Sequence, residues 1–134
     1  MAEINDNTLV LDQFYGAFNS GDVETAFSFL SPNVKWISYG PADRIPFAGT
    51  FHGHSGVREF FKIVEETIEL IEMTPEKFVA AKDEVFGVGT EHSRSLATGD
   101  DYRVRWSHIY QLENGKITRF EEFLDSAAVA DALS

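Results

Sequence analysis

Residues 102–125, YRVRWSHIYQLENGKITRFEEFLD, decide how the rest of the chain is read. Asn114-Gly115 sits between two runs rich in Val, Trp, Ile, Tyr and Phe. A type I′ turn needs φ > 0 at both central residues, which Asn and Gly tolerate, so the stretch predicts a β-hairpin. Side chains alternate faces along a strand. Val104, Trp106, His108 and Tyr110 therefore share one side of the first arm, and Phe120, Glu122 and Leu124 share one side of the second. A His and a Glu among aromatics on a sheet face form the first candidate for chemistry.

Working outward, Thr98-Gly99-Asp100-Asp101 reads as the turn into this hairpin, after a strand over Val85 to Leu96 whose two glycines mark bending. Lys82-Asp83-Glu84 is a turn. Residues 70–81 are ambiguous: Phe78-Val79-Ala80 reads as strand, with Pro75 suggesting an edge position or a bulge. Ser55 to about Ile68 is a helix with Val57, Phe60, Phe61, Val64 and Ile68 on one side, and residues 40–53 have no period and read as a loop, lid or rim. Val34 to Tyr39 is a strand of open parity. Residues 5–20 are helical, with Leu11, Phe14, Tyr15 and Phe18 in one stripe. Ser20-Gly21-Asp22 stops that helix and caps a short one over 23–30, and Ser126 can cap a last helix. Helices gathered at one end, followed by a strand meander, indicate an α+β fold.

The totals exclude several functions. At 134 residues the chain reads as one domain, 1–134. A net charge of −11 argues against nucleic acid and anionic membrane surfaces as partners. No apolar run is long enough to span a bilayer, and the polar opening MAEINDNT does not read as a signal peptide. The absence of cysteine removes disulfides and thiol catalysis, and a cytoplasmic location fits. His52 and His54 flank Gly53 but have no third ligand nearby, so no metal and no other cofactor is expected.

Three stretches carry a resemblance: FYGAFNSGDVETAFSFLSPNVKW (14–36), FAGTFHGHSGVREFF (47–61) and LATGDDYRVRWSHIYQLENGKITRFEEFLDSAAVADAL (96–133). Together they resemble the SnoaL-like families of the ketosteroid isomerase and nuclear-transport-factor superfamily. The resemblance implies a cystatin-like cone, a curved antiparallel sheet with a mixed edge wrapped around three helices and enclosing a cavity. It implies dimerisation through the outer sheet face, where Arg103, Arg105, Ser107, Ile109 and Gln111 would lie. Where the family's cyclases have an Asp with a His two residues before it and a second His on the preceding strand, this chain has Glu122, Phe120 and His108. Where its epoxide hydrolases have an Arg and an Asp two apart, this chain has His92 and Arg94. Where its steroid isomerases carry a catalytic Asp, it has Ser38 and Tyr39. The fold is implied; the reaction is not.

Glu122, desolvated among Phe120, Trp106 and Phe14 or Phe18, is the candidate general base or acid, with His108 as proton partner. The competing reading is an ion pair of Glu122 with Arg94 or Arg105. His92 and Arg94 share a face and are expected to bind a ligand oxygen. Tyr15 offers a further donor, although a core tyrosine is the commoner case. Trp36, Trp106, Phe18, Phe47, Phe60, Phe61 and Phe120 are expected to wall the pocket. Asp125 is either a second acid or a group at the start of the last helix. These residues point to a cofactor-independent isomerase, cyclase or hydratase/dehydratase acting on a small hydrophobic carbonyl or cyclic compound. The alternatives are a non-catalytic binding module for such a molecule and a dimeric assembly module.

Overall fold

A computed structural model describes residues 6–134 of the chain. The opening MAEIN, on which the absence of a leader was argued, lies outside the described residues. The order is α1 (Asp6–Asn19), α2 (Val23–Ser28), β1 (Leu30–Ser38), β2 (Gly49–His52), α3 (Gly53–Thr67), β3 (Ile68–Ala81), β4 (Glu84–Ser95), β5 (Asp101–Glu113), β6 (Lys116–Leu124) and α4 (Ser126–Leu133). None of these helices is long and apolar enough to cross a membrane.

The six strands form one mixed, curved sheet in the order β2-β1-β6-β5-β4-β3. All neighbours are antiparallel except β1 and β6, which run parallel. The hairpin forms as read: Asn114 and Gly115 both have positive φ, 52° and 77°, as a type I′ turn requires. Asp22 caps α2 by accepting from the Thr25 N–H, and Gly21 has φ 80°. The cap of α4 is Asp125, which accepts from the Ala128 N–H, one residue earlier than the expected Ser126. That bond satisfies one of the free amides at the helix start, so Asp125 faces the helix.

Two segments depart from the sequence reading. Residues 40–53 do not form a lid. Ile45 and Phe47 are buried, and the segment ends in β2, paired to β1 through Trp36↔Phe51. Single apolar anchors spaced by Pro and Gly leave no period, although they bind the segment into the core. Residues 68–81 form one long edge strand, exposed along most of its length. Its register slips between Pro75 and Lys77, so Pro75 meets both expectations at once. An edge strand with two wet faces shows no alternation, which is why its start was hidden.

The core lies between the concave sheet face and the helices. From α1 it takes Leu11, Phe14 and Tyr15, from β1 Val34 and Trp36, from α3 Val57 and Phe60, and from the hairpin Val104, Trp106, Tyr110 and Phe120. α4 packs on β5 and β4 with Val129 and Ala130 fully buried.

Candidate active site

β5 and β6 position the first two polar groups. His108 and Glu122 are cross-strand partners, and both are buried. The His108 Nε2 lies 2.8 Å from the Glu122 Oε2. The Ser38 hydroxyl, brought alongside by the parallel β1·β6 pairing, donates to the other carboxylate oxygen at 3.2 Å. On the far side of the imidazole, the Tyr15 hydroxyl meets Nδ1, and the Tyr110 hydroxyl lies 2.7 Å from it. An ionised Glu122 accepts only, so Nε2 carries the imidazole proton and Nδ1 accepts from Tyr15. Tyr110 then donates to Tyr15. One directional chain runs Tyr110, Tyr15, His108, Glu122, and burial pushes both tyrosine pKa values well above the ordinary phenol range. The phenols stay neutral.

β4 supplies a third group that the sequence reading missed. Glu91 is buried, and Ser93 and Tyr102 both donate to its Oε2, at 2.7 and 2.8 Å. Its Oε1 has no protein donor among the described residues. Desolvation, aided by the charge of Glu122 and opposed by the two hydroxyls, pushes its pKa up to about 7. Near neutrality Glu91 therefore exists in both forms, and its proton belongs on Oε1.

Glu91, Glu122, His108 and Tyr15 all line one cavity of about 60 Å³, walled by Phe14, Phe18, Trp36, Phe47, Phe60 and Phe120 among others. Trp36 stacks on Phe120 with centroids 3.9 Å apart. Its Nε1–H is buried without a hydrogen-bond partner among the described residues. A buried donor left unmade costs roughly 1–3 kcal/mol, so this N–H is a donor that an added acceptor would satisfy. Towards the helices lies a wider chamber of about 460 Å³, which shares the side chains of Phe14, Phe18, Phe61 and Val64 with the inner cavity.

Three expected assignments are corrected. His92 and Arg94 point to the outer face of β4, whose inner row is Val85, Glu91, Ser93 and Ser95. There His92 pairs with Asp101 at 2.8 Å, and Arg94 with Asp101 at 2.7 Å and Glu69 at 3.5 Å. Neither reaches the cavity, so neither can hold a ligand oxygen in it, and no arginine clamps Glu122. Trp106 is not on the cavity wall. It is buried behind the site, stacked on His108 at 3.9 Å and on Tyr15 at 5.9 Å, with Nε1 donating to the Thr90 carbonyl. It fixes the imidazole plane. The His52/His54 pair is split, since His54 Nε2 is 2.9 Å from the Leu30 carbonyl oxygen. Among the described residues, no group of three His, Cys, Asp or Glu side chains converges as metal ligands would.

The molecule is thus a curved mixed sheet packed against helices, with buried acid/base side chains lining a cavity between them. Residues 11–120 match the model of the SnoaL-like domain, and the chain belongs to that family. No curated protein matches its sequence. Among solved structures it is similar to an NTF2-like protein of unknown function from Burkholderia pseudomallei, with 24% identity, a TM-score of 0.90, and 98% of this chain and 99% of that one covered. An NTF2-like protein from Burkholderia xenovorans is 26% identical, with a TM-score of 0.85 over 96% and 95% of the chains. TerC, crystallised with polyporic acid, is 26% identical, with a TM-score of 0.85 over 96% and 98%.

Proposed function

We propose that the protein is a cofactor-independent acid/base enzyme acting on a small, mostly apolar carbonyl compound. The reaction moves a proton at carbon, as in isomerisation, cyclisation or dehydration. The observation that carries this reading is the convergence of two carboxyl groups, Glu122 and Glu91, on one small cavity with aromatic walls. There a carboxylate can take a proton, and a protonated carboxyl is a usable donor. Glu122 takes the proton from the carbon beside the carbonyl. The electron pair left behind moves onto the carbonyl oxygen, which accepts a hydrogen bond from Glu91 and from the unpartnered indole N–H of Trp36. Return of the proton from Glu122 to a different carbon completes an isomerisation. Loss of a leaving group instead gives an elimination. His108 and Tyr15 stabilise the charge changes on Glu122 through the hydrogen-bond chain.

The test is deuterium incorporation from D2O into a panel of cyclic ketones and enones, followed by mass spectrometry. Polyporic acid joins the panel as a ligand, because TerC was crystallised with it. Wild type is expected to exchange at least one member, and Glu122→Gln to lose that exchange by about a hundredfold or more, the usual scale of general-base catalysis. Equal exchange by both proteins sinks the assignment. Ligand retention with no exchange by wild type leaves a binding module in its place. The location we infer is the cytoplasm, and the assembly is a dimer through the outer sheet face, which carries Phe86, Ile109 and Phe123 beside Arg103 and Arg105.

A further inference from the structure

We propose that the outer chamber is the binding site for the anionic end of an amphipathic ligand, held by Arg58 and Lys62. This rests on the reading above and narrows its substrate class: an elongated apolar molecule with a carbonyl at one end and a single carboxylate or sulfonate at the other.

The chamber of about 460 Å³ is far roomier than the inner cavity, and its side chains are apolar apart from Arg58, Lys62 and Glu65. Those three sit on one helix, α3, at spacings of four and three residues, so they share a face. Apolar walls with a few grouped charges are what an amphipathic small molecule recognises. The sign of the charge is set by the two cations. On a chain of net charge −11, two cations in one concave apolar wall, with Glu65 as the single carboxylate lining it, favour an anion there.

Neither cation is held by a buried carboxylate. The Arg58 guanidinium lies over the Phe27 ring, 4.3 Å from its centroid, which holds it against the chamber wall. Its partner Glu24 is 3.4 Å away with a side chain 84% exposed, a loose contact that a ligand anion can replace. No carboxylate of the described residues lies within 4.0 Å of the Lys62 amine. Glu65, a turn further along, repels a second negative charge, which limits the ligand to one. The Phe18–Phe61 ring pair, 5.3 Å apart, lines both chambers. A ligand body lying along that pair is directed toward the cavity that Glu122 and Glu91 line.

Two dyes with the same aromatic body separate charge recognition from greasiness: anilinonaphthalene sulfonate, an anion, and its neutral parent phenylnaphthylamine. Binding is read by fluorescence titration. The variant Arg58→Gln/Lys62→Gln is expected to weaken the anion about tenfold, one step on the affinity scale, and to leave the neutral dye unchanged. In wild type, added salt is expected to weaken the anion and spare the neutral dye. Arg103→Gln/Arg105→Gln, on the outer sheet face, is expected to change neither. Equal effects on both dyes, no effect on either, or loss of the anion only in the Arg103/Arg105 variant overturns the proposal. Dye binding does not require proton transfer. Failure here and failure of the exchange experiment are thus separate results.

Discussion

Trp106 lies flat across the backbone of Gly89, and a Cβ at that position would stand 2.4 Å from the indole and 2.3 Å from the Thr74 carbonyl oxygen. The two residues are cross-strand partners. Gly87, the partner of His108, is nearly as tight: a Cβ there would meet the Phe78 ring at 2.9 Å. The two glycines of β4 provide clearance, so that the indole can lie on the sheet and the imidazole can stack on the indole.

Gly89→Ala is therefore expected to destabilise the fold by about 3 kcal/mol, the upper range for overpacking. The obstacles are a backbone carbonyl and a ring locked from both sides, neither of which can swing away. Urea denaturation gives the loss. A changed near-UV circular dichroism signal is expected alongside it, since Trp106 must tilt. A stability equal to wild type would contradict the packing described.

Glu91 gives a pH dependence of known sign. Its folded pKa of about 7 lies above the ordinary carboxyl value of 4.5. The folded state thus binds more protons than the unfolded chain between those values, and stability falls as pH rises from about 4.5 to 7. The part of the pH dependence due to Glu91 is on the order of 3 kcal/mol between its two limits. Urea midpoints at pH 5 and pH 8 are expected to differ less in Glu91→Gln than in wild type, with wild type losing more on going to pH 8. A variant that tracks wild type at both pH values would show that Glu91 is not held protonated.

Tyr15→Phe removes the middle of the hydrogen-bond chain and leaves the Tyr110 hydroxyl and one face of His108 unsatisfied in the core. A loss of about 1–3 kcal/mol in stability is expected, the cost of an orphaned buried polar group. In the exchange assay it is expected to slow turnover less than Glu122→Gln does, because Tyr15 acts through His108.

His92→Ala and Arg94→Ala test the outward placement of those residues. Both bond Asp101 on the outer face of the sheet, contacts that contribute under about 1 kcal/mol. Neither change is expected to alter ligand affinity or exchange by more than a factor of about two. A large effect on either would mean that β4 presents its other face to the cavity.

Ile109→Glu tests the outer sheet face as an interface. Ile109 stands between Phe86 and Glu121 in register, beside the exposed Phe123. Wild type is expected to sediment as a dimer and the variant as a monomer with unchanged secondary structure. Monomeric wild type would remove the dimer.

Much of this was legible in the sequence. The hairpin announced itself through Asn114-Gly115, and alternation along its arms put His108 and Glu122 on one face. β4 was harder, because from Thr90 to Ser95 both faces read as polar: Glu91, Ser93 and Ser95 against Thr90, His92 and Arg94. Without an apolar row, hydrophobicity cannot choose the inner side. Parity could have chosen it. The four-residue turn read at Thr98–Asp101 already pairs even positions of β5 with odd positions of β4, as the observed pairing of Arg94 with Asp101 also does. Since Trp106 and His108 face inward, Glu91 must as well. Ile45 was invisible for another reason: a single apolar residue among Pro, Gly and charged neighbours has no local pattern, although it is buried.

The Ser38–Glu122 contact joins residues 84 apart in sequence, and Tyr15 reaches across 93 to His108. Because β6 is inserted between β1 and β5, the first strand has no inner neighbour until the hairpin's second arm arrives. During synthesis, α1 through β5 leave the ribosome with a gap in the sheet and an open half-cone. Contacts of such long sequence separation form late and slowly. Any proton-transfer activity is then a property of the finished chain alone, and the appearance of activity during translation would time the closure of the sheet.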